Sequence, residues 1–93
     1  MLRWSSKARH LSISEALLGQ LDFPHVLIIE RTPAGLVLYQ RGDARATGKE
    51  RKVNYPHRAM PRMSIGAQPA AELGLHDGRY AARVEAGTIV IEE

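Results

Sequence analysis

Two groups of side chains in this sequence could hold an anion. Arg3, Lys7, Arg9 and His10 form the first, and Lys49, Arg51, Lys52, His57, Arg58 and Arg62 form the second. Most acids lie elsewhere, at Glu15, Asp22, Glu30, Asp43, Glu72, Asp77, Glu85, Glu92 and Glu93, and only Glu50 falls inside a basic group. Clustered cations neutralise phosphates, and arginine can also bond guanine edges in the major groove. The net charge of +3 and the isoelectric point near 9.7 are compatible with nucleic acid without requiring it. Charge alone leaves a second reading open, a solvated surface that only keeps the chain soluble.

Other chemistry finds less support. With no cysteine, disulfides, thiolate metal sites and cysteine nucleophiles are excluded. His10, His25, His57 and His76 lack metal-ligand spacing. Ser5, Ser6, Ser12, Ser14 and Ser64 stand in no nucleophile-elbow context. The glycines form no phosphate loop, and no paired carboxylates stand out. The expectation is a non-enzymatic chain without cofactor or metal. Trp4 and Tyr55 could stack on bases or cap a core, and Tyr39 and Tyr80 are expected in the core or on a sheet face. No apolar run is long enough to cross a membrane, and none at the start resembles a leader. A cytoplasmic location is therefore expected.

The elements that would position these groups come in two similar sets. In the first, strands near 2–4 and 10–13 flank a basic turn. Ser14 is placed to cap a helix over 15–21 with its hydroxyl, and Leu17, Leu18 and Leu21 share one helical face. Strands over 25–31 and 36–40 follow, joined by a turn at 32–35. In the second set, strands over 51–55 and 62–65 flank another basic turn. A helix of about two turns follows Gly66, with Pro69 in its first turn, and ends at Gly74. Strands over 79–84 and 88–91 close the chain. Residues 41–50, polar with two glycines, read as an exposed linker. Sliding the sequence along itself by 52 positions aligns both sets without a gap, Ser12-Ile13 on Ser64-Ile65 and Ala34-Gly35 on Ala86-Gly87.

The ββαββ order, Arg62-Met-Ser-Ile65, Ala71-Glu-Leu-Gly-Leu75, Asp77-Gly-Arg79 and Gly87-Thr-Ile-Val-Ile91 together resemble the AbrB/MazE/SpoVT-like swapped-hairpin family. Two such units in one chain resemble its MraZ arrangement. Ser14 and Gly66 replace the family's usual proline, the helices lack its usual basic residue, and the first turns lack its glycine. The resemblance implies a mainly β fold with short helices: one swapped-hairpin β-barrel over 1–93, from repeats at about 1–40 and 51–93. Each half exposes sheet edges that the other would cover.

The resemblance also implies a DNA-binding transcription regulator, a repressor that occludes double-stranded DNA. Its interface would be Arg3, Lys7, Arg9, His10, Arg51, Lys52, His57, Arg58 and Arg62 on one face formed by the two turns. Two alternatives stay open: an antitoxin of the MazE kind, disfavoured because Glu92-Glu93 follows the last strand with no acidic-apolar tail, and a protein-interaction module. Assembly into a homodimer or larger oligomer also stays open.

Overall fold

The computed structural model describes residues 1–93. Eight strands and two short helices form in the order β1(Leu2–Ser5), β2(His10–Ile13), α1(Glu15–Gly19), β3(Val26–Thr32), β4(Gly35–Gln40), β5(Arg51–Asn54), β6(Arg62–Ser64), α2(Ala67–Leu73), β7(Gly78–Glu85) and β8(Thr88–Glu92). All strand pairs are antiparallel. They close one barrel in the order β1-β2-β6-β5-β3-β4-β8-β7. No helix is long and apolar enough to cross a membrane.

Alternation along the strands fills the barrel. Leu2 and Trp4, Leu11 and Ile13, Leu27 and Ile29, Leu36 and Leu38, and Ile89 and Ile91 are buried in one cluster with Val53, Met63 and Ile65. Trp4 is thus a core residue. Leu17, Leu18 and Leu21 bring α1 onto the same cluster.

Four strand pairs join the chain's two parts. β2 pairs with β6, setting Leu11 opposite Met63. β1 pairs with β7, β3 with β5, and β4 with β8. Exchanging β1–β4 with β5–β8 leaves the ring order unchanged.

Strand pairing corrects the gapless alignment. Arg3 lies opposite Ser12 and Trp4 opposite Leu11, whereas Val53 and Asn54 lie opposite Met63 and Arg62. If β2 maps on β6 by 52 positions, β1 therefore maps on β5 by 49, and Trp4 corresponds to Val53, not to Tyr55. The turn at 6–9 is three residues shorter than the turn at 55–61. The later hairpins map by 53, because Thr32 opposite Gly35 corresponds to Glu85 opposite Thr88. A one-residue slip exchanges the two faces of a strand. The burial of Leu36 and Leu38 matches Ile89 and Ile91 only in the corrected register.

Local details also differ from expectation. Ser14 stands at the N-cap of α1 but makes no side-chain cap bond; its Oγ accepts from the Met1 amino group at 3.1 Å. The helix stops at Gly19, and Asp22 and Phe23 both take left-handed backbone, at φ 59° and 51°. Gly74 ends α2 at φ 72°, where a Cβ would meet the Arg31 guanidinium at 3.2 Å.

The linker at 41–50 is exposed along most of its length but is fastened down. Ile28, Val37 and Tyr39 form a second apolar cluster against which Ala46 packs. Arg45 lies 5.0 Å from the centre of the Tyr39 ring and donates to Thr88 Oγ1 at 2.8 Å. Glu30 accepts from Thr47 N, Thr47 Oγ1 and Gly48 N. Burial opposes ionisation of Glu30, but those bonds prevail and hold its carboxyl below the usual range. The Arg45 side chain and backbone N–H bond Asp43 and lower it from 3.8 to about 2.

Two outcomes follow. Leu11→Ala or Met63→Ala, at the central seam, will lower unfolding free energy by about 2–5 kcal/mol in chemical denaturation. Carboxylates with lowered values stabilise the fold above their unfolded pKa, and that contribution is lost as pH falls through the folded value. The thermal midpoint will therefore hold down to about pH 5 and drop between about pH 4 and 2, less steeply in Asp43→Asn.

Candidate nucleic-acid interface

Four of the nine sequence-predicted site residues, Arg3, His10, Lys52 and Arg62, lie on the outer face of β1-β2-β6-β5, and four more, Lys7, Arg9, His57 and Arg58, lie in its turns. Inward Leu2, Trp4, Leu11, Ile13, Val53 and Met63 leave their strand neighbours facing out. Strand register orders these into two rows. One row runs Arg79, Arg3, Ser12, Arg62, Asn54 across β7, β1, β2, β6 and β5. The other runs Ser5, His10, Ser64, with Lys52 next on β5 by continuation of its register. Neither row contains an acid, and the residues between the cations are Ser and Asn. The surface is therefore polar and positive.

The ion pairs divide the cations by face. Of the 13 Lys and Arg, four hold ion pairs: Arg31 with Glu93, Arg41 with Glu50, Arg45 with Asp43, and Arg83 with Glu85 and Glu92. All four lie on β3, the linker or the far end of β7. Arg3, Lys7, Arg9, Lys49, Arg51, Lys52, Arg58, Arg62 and Arg79 form none, and all belong to the β1-β2-β6-β5 sheet, its turns or its borders. Arg3 and Arg79 lie directly opposite each other. Like charges so placed repel, and neither arginine holds an ion pair.

The two basic turns do not emerge side by side, contrary to the expectation from sequence. Antiparallel pairing of β2 with β6 sends them to opposite ends of the sheet. The Arg9 carbonyl accepts from Ile65 N at 3.0 Å, and the Pro61 carbonyl from Ile13 N at 2.9 Å. What they share is the sheet face between them: Lys7 and Arg9 flank it at one end, and His57 and Arg58 at the other.

Other assignments shift as well. Arg51 alternates with outward Lys52 and is half-buried opposite Leu27, so it leaves the outward rows. Arg79, absent from the sequence-predicted set, joins them. Its only sequence signal is its place after Asp77-Gly78 at the start of a strand; that it borders Arg3 depends on pairing across 76 positions. Tyr55 is 39% exposed, packs edge-on to Phe23 with centroids 6.2 Å apart, and donates to the Pro24 carbonyl at 2.6 Å. Both rings lie beside the turn at 55–61. At the other turn Asp77 accepts from Ser6 N and Ser6 Oγ, bonds that keep its carboxyl below the ordinary range.

Comparison with protein-family models, with curated proteins and with solved structures finds no match for this chain.

The division of cations has a measurable consequence. Arg3→Ala, Lys52→Ala and Arg58→Ala will each change folding stability by no more than about 0.5 kcal/mol. Arg45→Ala, which removes its bonds to Asp43 and Thr88 and its contact with Tyr39, will lower the thermal midpoint below that of all three.

Proposed function

We propose that the chain is a non-enzymatic, cytoplasmic DNA-binding regulator of the swapped-hairpin, AbrB-like kind, which represses by covering a promoter segment. The ring order's invariance under exchange of β1–β4 with β5–β8 supports two repeats that interlock their hairpins. The observation that carries the DNA reading is that the nine cations without ion pairs belong to the β1-β2-β6-β5 sheet, its turns and its borders, and that the two outward rows of that sheet hold no acid, while the other four cations are neutralised by carboxylates.

The chemistry suits a duplex. Phosphates would offset the repulsion between Arg3 and Arg79 and release condensed counterions. Ser5, Ser12, Ser64 and Asn54 can donate to phosphate oxygens without lifting the backbone from the surface. Arg3 and Arg62 lie two strands apart, about 10 Å at ordinary strand spacing, within the roughly 12 Å width of a major groove. Arg3 and Arg62 therefore reach one groove while the turn cations reach flanking phosphates. Occlusion of polymerase needs no further chemistry.

Titration of duplex DNA at two salt concentrations tests the proposal. Affinity will fall roughly a thousandfold or more between about 50 and 200 mM salt. Lys7→Ala with Arg58→Ala, which removes one cation from each turn, will weaken binding at low salt and reduce the salt slope by about 2. Absence of duplex binding at the lower salt, or affinity indifferent to salt, overturns it.

A further inference from the structure

The exposed apolar surface of this chain gathers at one turn. Met1, Phe23, Tyr55 and Met60 are its large hydrophobic side chains left open to solvent, each between 39% and 50% exposed. Tyr55 and Met60 belong to the 55–61 turn, and Phe23 stands edge-on to Tyr55. Met60 lines a recess with Glu15, Pro56, Arg58 and Ala59, so the turn and the start of α1 share its walls. The patch therefore runs from Phe23 through Tyr55 and Pro56 to Met60.

The turn at the opposite end of the sheet has no counterpart. It is three residues shorter and exposes only Ser6, Lys7, Ala8 and Arg9. Phe23 corresponds to Leu75, because Phe23 N donates to the Leu18 carbonyl as Leu75 N donates to the Ala70 carbonyl. Leu75 packs against the core instead of standing out from it. The fold thus closes that end without exposed apolar groups, and a contiguous patch of them at the other end marks a contact surface.

Charge at the patch selects what covers it. Glu15 and Arg58 stand on walls of the same recess, both exposed, and neither holds an ion pair. A surface that sets an unpaired acid beside an unpaired base complements itself when turned about a two-fold axis. We propose that the patch docks on a second copy of this chain, across a two-fold axis through that recess. Glu15 of each copy faces Arg58 of the other, and Phe23, Tyr55 and Met60 of the two copies close against one another. Methionine suits the centre of such a contact because its unbranched side chain adapts to the facing surface.

The area agrees. Half-exposed rings present roughly 100 Å² each, and Met60 a similar amount, so each copy contributes about 300 Å² of apolar surface. At the usual apolar share of about 57%, the pair buries about 1,000 Å², the lower limit of a specific interface and the class of a reversible one. The contact joins two closed barrels without exchange of strands and forms without DNA. Arg58 has five N–H donors, enough to bond Glu15 of the second copy and a phosphate of the duplex proposed above.

Sedimentation equilibrium of the full chain without DNA, at about 1 µM to 1 mM, covers the range of weak, reversible association. The expected result is a monomer–dimer equilibrium. Met60→Asp, which sets a carboxylate in the apolar contact, will weaken it about tenfold or more, the scale of a central contact residue, while the dilute chain keeps its thermal midpoint. Glu15→Arg alone, or Arg58→Glu alone, places like charges opposite each other twice and abolishes self-association. Mixing these two charge-reversed chains restores a dimer with one copy of each. A monomer throughout the range overturns the proposal and leaves the patch to another protein or to the duplex. A dimer that tolerates Met60→Asp, or charge-reversed chains that stay apart on mixing, overturns it as well.

Discussion

The pairing of β2 with β6 is the contact on which the rest depends. It places Leu11 against Met63 inside the barrel and His10, Ser12, Arg62 and Ser64 outside it. Without it the two early hairpins would each end in an open edge, and unpaired edges recruit other strands. The β1–β7 and β5–β3 seams then carry the closure round to the later hairpins. Because the pairing is antiparallel, the same contact also sends the two basic turns to opposite ends.

Charge follows from this geometry. The apolar outer cluster of Ile28, Val37 and Tyr39 lies on the later hairpins and is partly covered by the linker. The acids gather on that side as well, where Glu93, Asp43, Glu85 and Glu92 pair with Arg31, Arg45 and Arg83. The early hairpins keep their cations free. A protein of modest net charge thus acquires one strongly positive face by segregating its charges, without a polybasic tail.

The core and most element positions are legible in the sequence because alternation and turn residues are local signals. The inward set of β1, β2 and β4 can be read from Leu2, Trp4, Leu11, Ile13, Leu36 and Leu38. The likeness of the two halves is visible too, but not its register. Extra residues in the turn at 55–61 and before β7 shift the correspondence, and sparse identities cannot place such insertions. A gapless alignment brings Tyr55 within one position of Trp4, although one is an exposed turn residue and the other belongs to the core.

By itself the sequence determined that strands alternate, where turns fall, and that cations cluster around two of those turns, since each depends on residues close together in the chain. The tertiary structure alone decided which cations share a surface. Arg79 joined the cations of the early sheet and Arg51 left its outward rows because pairing with β1 and the alternation of β5 are fixed by partners distant in sequence. The side toward which a bend projects is set in the same way, by the direction of the strand against which its hairpin lies.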